Sequence, residues 1–209
     1  MSMDRRKRKS QAAIQQAILE LIYEKDFEKI TISDITNRAD LNRGTFYLHF
    51  EDKYDMINQF EENFMKELES IMIKELHQIQ NLNDLISSRY SSLVEMFDCF
   101  KNNHEILDII FKTKGILSLQ TRLNHFMDNV FTDNQLQRKQ VKADFPLELF
   151  QMILVSICLG ISQYWLQGNG EFSSEELAQG MLNIMINGPA RAAGFISDDY
   201  IDIRNMIPQ

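Results

Sequence analysis

The sequence predicts an all-α protein, and three observations carry that expectation. Glycine (8) and proline (3) are scarce among 209 residues, whereas an all-β chain with a turn about every ten residues needs more of both. Apolar residues recur three and four positions apart through most of the chain, which is the period of a helix face. Hydrophobic residues make up 44% and charged residues 25%, an ordinary globular composition with enough apolar mass for a core.

The first helix is expected from about Ser10 to Lys25, because Ile14, Ala17, Ile18, Leu21 and Ile22 fall on one face. The run Arg5-Arg6-Lys7-Arg8-Lys9 ahead of it reads either as a frayed, solvated terminus or as an arm facing a polyanion. A short link, Asp26 to Ile30, follows. Thr31 and Asp34 form a reciprocal capping pattern for a second helix over about Ile32–Ala39. Asp40-Leu41 makes a turn, and Asn42 caps a third, short helix through about His49, anchored by Phe46 and Phe50. A long fourth helix opens at Glu51-Asp52-Lys53, with an apolar stripe from Ile57 to Ile79. Asn83 can cap a fifth helix, from about Asp84 to Lys101. His104 to Lys112 reads as a sixth, and Ile116 to Phe131, after the breaker Gly115, as a seventh. Residues 132–144 are polar and aperiodic and read as a loop. Pro146 suits the first turn of an eighth helix, to about Gln167. Gly168-Asn169-Gly170 makes a turn. Ser173 or Ser174, followed by Glu175-Glu176, starts a ninth helix that Gly188-Pro189 should end.

Several function classes are excluded at this level. Cys99 and Cys158 lie far apart in apolar segments and suggest neither a disulfide framework nor a zinc site, which fits a reducing cytoplasm. The longest apolar run, Met152 to Ile161, is too short to span a bilayer, and no apolar segment of a signal peptide follows the basic run. There is no glycine-rich phosphate loop, no His-Glu-x-x-His and no serine elbow. The histidines at 49, 77, 104 and 125 lack metal-ligand spacing. No metal, no cofactor and no catalytic residues are expected.

The charge distribution points elsewhere. Net charge is −8. Yet residues 1–50 carry nine Lys/Arg against seven Asp/Glu, while residues 51–209 carry 13 against 23. A basic-leaning head on an acidic body suits a localised polyanion-binding module. Two short helices joined by a tight turn over residues 31–49 have the size of a helix-turn-helix, whose second helix lies in the DNA major groove. Arg43 can fork onto a guanine or a phosphate. Gly44 permits close backbone approach, and Thr45, Tyr47, His49 and Lys53 carry donors for phosphates.

The segment Ile30-Thr31-Ile32-Ser33-Asp34-Ile35-Thr36-Asn37-Arg38-Ala39, followed by Gly44-Thr45-Phe46-Tyr47-Leu48-His49-Phe50 and Asp52-Lys53, resembles the TetR family of bacterial transcriptional regulators. The likeness runs from about Ile14 to Ile57. Asp40 stands where the family usually has a turn glycine, and Asn42 where it has a serine cap; Asp enters the left-handed region more easily than most residues, and Asn caps well. The resemblance implies a DNA-binding domain over residues 1–55 and a helical effector-binding and dimerisation domain over 56–209. Carried over by position, Thr31, Thr45, Tyr47, His49 and Lys53 would touch phosphates, Arg43 and Gly44 would lie nearest the bases, and Asn42 would cap the recognition helix.

The body supplies expectations of its own. The Leu149–Leu166 stretch is apolar almost all round, so one side packs on its own subunit and the other needs a partner. With the apolar stripe of the last helix it suggests a four-helix homodimer interface including Ile153, Ile157, Ile161, Met181 and Met185. Phe64, Met96, Phe97, Phe100, Phe111, Phe126 and Trp165 either line an adaptable effector pocket or are plain core. The resulting reading is a cytoplasmic, homodimeric regulator that answers a small-molecule effector of unknown identity. It is expected to repress from a palindromic double-stranded operator, with no membrane partner. The alternative is a helical protein-binding adaptor without operator recognition.

Overall fold

The computed structural model describes residues 2–73, 82–133, 146–168 and 172–192. Among them the chain is all-helical, with no strand. The helices are α1 (Ser2–Glu24), α2 (Ile32–Arg38), α3 (Arg43–Tyr47), α4 (Lys53–Ile73), α5 (Leu82–Asn102), α6 (His104–Thr113), α7 (Ile116–Asp133), α8 (Leu147–Leu166) and α9 (Ser174–Ala192). A single 3-10 turn, Phe27–Lys29, occupies the link after α1.

One compact unit comprises residues 1–65 with 103–119. Its core gathers Ile14, Ile18 and Leu21 of α1, Ile35 of α2, Phe46 of α3, and Met56, Ile57 and Phe60 of α4. Ile109 of α6, in a segment that the sequence pattern assigns to the body, packs into the same cluster. The reason lies in the face α1 presents. Its apolar stripe is wide enough to cover α2 and α3 on one side and α6 on the other. The α1 helix also starts earlier than the periodicity predicts, because Arg and Lys are good helix formers and the basic run continues the helix without an apolar stripe.

The second unit comprises residues 66–102 and 120–209. Here α5 packs along α9 and both meet α8. Phe97, Phe100, Leu159, Ala178 and Leu182 are buried. Ser173 caps α9: its hydroxyl accepts from the Glu176 amide at 3.2 Å while the Glu176 carboxylate accepts from the Ser173 amide at 2.8 Å. Ser174 instead donates to Asp98 of α5 at 2.6 Å, tying the start of α9 to its neighbour. Gly188 adopts φ 75°, which interrupts the helix where the Gly-Pro pair predicts its end, and helical turns resume to Ala192. The expected far end of the fourth helix, most of the 132–144 loop, the rest of the Gly168-Asn169-Gly170 turn and the tail lie outside the described residues.

Candidate nucleic-acid interface

Local hydrogen bonds set both helices of the 31–49 segment. The Thr31 hydroxyl accepts from the Asp34 amide at 3.1 Å, and the Asp34 carboxylate accepts from the Thr31 amide at 2.8 Å, so the capping box closes in both directions. The Lys25 ammonium sits 2.9 Å from the same carboxylate. Lys25 and the Thr31 donors together hold the Asp34 carboxyl far below the usual carboxylate range. Because the folded form holds this proton more weakly, the contribution to stability is complete above about pH 4 and is lost as pH falls. Asp34→Asn is therefore expected to lower the melting temperature at neutral pH and to narrow the gap to wild type in acid. Parallel melting curves across pH would refute this if the gap stayed constant.

Asp40 carries φ 53°, the only positive φ at a non-glycine among the described residues, and turns the chain between α2 and α3. Its short polar side chain makes that region accessible where a glycine is usual. Asn42 then caps α3, its Oδ1 accepting from the Thr45 amide at 2.8 Å and the Thr45 hydroxyl at 3.0 Å. A Cβ on Gly44 would lie 3.2 Å from that same oxygen, so glycine leaves the cap undisturbed. Arg38 clamps α2 to α1 through a fork, Nη1 to Glu20 at 3.0 Å and Nη2 to Glu24 at 2.8 Å.

The eight residues expected at DNA fall into three groups. Arg43 and Tyr47 are exposed on α3 one turn apart, with Nη2 and Oη 3.5 Å apart. Phe46 between them is fully buried and meets the Tyr47 ring edge-on at 5.7 Å. Thr31, Asn42, Gly44 and Thr45 form the two helix starts, and the hydroxyl protons of both threonines are committed to the caps. His49 and Lys53 turn to the chain itself. The Lys53 ammonium donates to the carbonyls of Phe27, Glu28 and Ile30 at 2.8, 2.9 and 3.0 Å and lies over the Phe27 ring. All three of its protons are thereby used.

His49 Nε2 lies 2.6 Å from the Ser10 hydroxyl. The two share a hydrogen bond, the hydroxyl also lies 3.0 and 3.1 Å from the carbonyls of Lys7 and Arg6, and the ring's Nδ1 is buried without a partner. Burial and the nearby Lys7 charge push the His49 pKa down, which favours the neutral ring. The Ser10 and Lys53 contacts are not legible in the sequence, because their partners stand 39 and up to 26 residues away. A serine at the start of an apolar stripe is the one local signal for the first.

The other expected residues are dispersed. Phe64 and Phe111 belong to the amino-terminal unit, while Met96, Phe97, Phe100, Phe126 and Trp165 belong to the second. Phe64, Met96, Phe97, Phe100 and Phe126 are buried; Phe111 and Trp165 are half-buried. On α8 Ile153 is exposed, and Ile157 and Ile161 are half-buried; on α9 Met181 is buried and Met185 half-buried. The outward stripe of α8 is formed by Leu149, Met152, Ile153, Gly160 and Tyr164. Among the described residues no helix is long and apolar enough to cross a membrane, and no cluster of side chains could hold a metal ion.

Both the helix-turn-helix and the body fall within known sequence patterns. The sequence pattern of the bacterial regulatory proteins of the tetR family matches residues 14–60, and that of a transcriptional regulator C-terminal region matches residues 87–188. The chain belongs to the TetR family. Its amino-terminal helix-turn-helix lies within the first of these matches. The chain is 21% identical over 175 residues to the uncharacterized HTH-type transcriptional regulator YxbF of Bacillus subtilis, covering 81% of this chain and 43% of that one. It thus spans less than half the length of that relative. It is also 21% identical over 195 residues to the fatty acid metabolism regulator protein of Bacillus subtilis, covering 88% of this chain and 97% of that one. Among solved structures, a TetR-family protein of Syntrophomonas wolfei superposes with a TM-score of 0.61 at 18% identity, covering 92% and 99% of the two chains. That likeness places the TetR fold.

Proposed function

We propose that this chain is a homodimeric, effector-responsive repressor that binds a palindromic operator. The observation that carries the reading is the outward face of α3, where Arg43 and Tyr47 stand clear of a recognition helix pinned by Phe46 and capped by Asn42. In this reading Arg43 reaches a base edge or phosphate, Tyr47 donates to a phosphate, and Gly44 and Thr45 let the backbone approach the groove. Thr31, Asn42, His49 and Lys53 set the position of the helix from within the chain.

The body supports the two-fold symmetry of this reading. Met152 is 49% exposed and Ile153 41%, in a stripe that continues to Tyr164, and such a stripe on a helix that is otherwise buried calls for a second copy. Ile153→Glu is expected to convert a sedimenting dimer into a folded monomer, since its site is exposed in one subunit; a wild type sedimenting as a monomer at micromolar concentration would overturn the dimer. The aromatic and methionine side chains around Phe97 and Phe126 are the proposed effector lining, of a kind suited to an apolar or acyl ligand. The similarity to a fatty acid metabolism regulator supports that class. An effector acts by favouring the subunit arrangement that no longer fits two successive major grooves.

Selection of bound duplexes from random sequence tests the whole reading. Enrichment of a palindrome is expected, and failure to enrich any sequence would refute operator recognition.

A further inference from the structure

The basic run at the start of α1 is a charged surface that the recognition helix does not explain. Arg5, Arg6, Lys7, Arg8 and Lys9 are all exposed and all helical. Five consecutive positions at about 100° per residue place cations on every side of the helix. The arrangement opposes helix stability twice. Cations near a helix start oppose the macrodipole, and Arg5 with Lys9, or Arg6 with Lys9, repel as like charges one turn apart. No acidic side chain among the described residues pairs with Arg5, Arg6, Lys7 or Lys9. A polyanion would remove both penalties.

The run is also fixed in place relative to α3. Ser10, the next residue, is buried and its hydroxyl is hydrogen-bonded to His49 Nε2 at the end of the recognition segment. The Lys7 charge reaches that imidazole. The cationic turns therefore begin beside the end of the recognition segment.

We propose that Arg5, Arg6, Lys7 and Lys9 form a second DNA-binding surface, gripping the phosphate backbone on the flank of each half-site, with the Ser10–His49 bond holding it at a set offset from α3. The proposal rests on the operator-binding reading. It adds a contact that carries no sequence information but contributes affinity through counterion release.

The test uses the full chain and the variant Arg5→Gln/Arg6→Gln/Lys7→Gln/Lys9→Gln, in which glutamine keeps helix propensity. Each is titrated by fluorescence anisotropy, across salt, against two duplexes. One ends at the borders of the selected sequence; the other extends about ten base pairs, roughly one helical turn, beyond each border. Wild type is expected to bind the extended duplex about tenfold more tightly at low salt, with log K falling more steeply by about 0.9 per phosphate engaged. The variant is expected to bind both duplexes alike while keeping the same preferred sequence and a melting temperature no lower than wild type. A wild type indifferent to duplex length, or a variant with the wild-type salt slope, would overturn the proposal while leaving operator recognition intact. A wild type that selects no sequence removes the operator reading and this proposal with it.

Discussion

Replacing Lys114 by methionine is expected to destabilise the protein by about 3–5 kcal/mol, seen as a lower midpoint of denaturant unfolding. Glu61 on α4 is the only charged residue buried among those described, its side chain 1% exposed. Its carboxylate accepts from the Lys114 ammonium at the end of α6 and from the Ser118 hydroxyl of α7 at 3.0 Å. Removing the ammonium leaves a desolvated carboxylate without this cation at that corner. Losing one partner is far costlier than losing both, because an apolar pair of similar volume has no charge to desolvate. Glu61→Leu/Lys114→Met should therefore recover most of the loss. A single-variant effect below about 1 kcal/mol, the range of an exposed pair, would show that water reaches Glu61 in solution.

Arg43→Ala and Lys53→Ala are expected to fail in opposite ways. Arg43 is exposed and its loss removes no core contact, so the melting temperature should hold while binding to the selected operator weakens by about 1–3 kcal/mol per half-site. Discrimination at one base pair in each half should relax. An equal loss on every sequence, with a matching change of salt slope, would make Arg43 a phosphate contact instead. Lys53→Ala, by contrast, strips three carbonyls of a charged donor and should lower stability by about 2 kcal/mol, since hydrogen bonds to charged groups are worth roughly that much each but are not additive. Under conditions where the variant is folded its salt slope should match wild type. A slope reduced by about 0.9 per contact with unchanged stability would return Lys53 to the phosphates.

These two variants mark where the fold sorts residues that look alike in the sequence. Arg43 and Lys53 are both cations at helix starts, and both are expected at DNA there, Arg43 nearest the bases and Lys53 at a phosphate. The fold separates them: Phe46 at the centre of α3 leaves Arg43 outward, whereas the 3-10 turn at Phe27–Lys29 brings three carbonyls under the Lys53 ammonium. His49 divides from Tyr47 in the same way, since only the approach of α1 supplies Ser10 as its partner. Similarly, α6 packs on α1 although nothing in His104–Thr113 distinguishes it from the helices of the body.

What the sequence determined by itself is everything that closes over three or four residues. The Thr31–Asp34 box, the Asn42 cap, the left-handed Asp40 turn, the Ser173–Glu176 start of α9 and the break at Gly188 are all legible, because donor and acceptor, or the backbone freedom, sit within one turn. The apolar period of each helix is legible for the same reason. Only the tertiary structure decided which polar groups are consumed inside the chain. Glu61 with Lys114, Lys53 with the Phe27–Ile30 carbonyls and Ser10 with His49 join residues tens of positions apart. Such pairs form because helix packing brings their backbones together and excludes water between them, which raises the cost of leaving either partner alone. No local pattern encodes that exclusion, since it depends on which faces of α1, α4 and α6 meet.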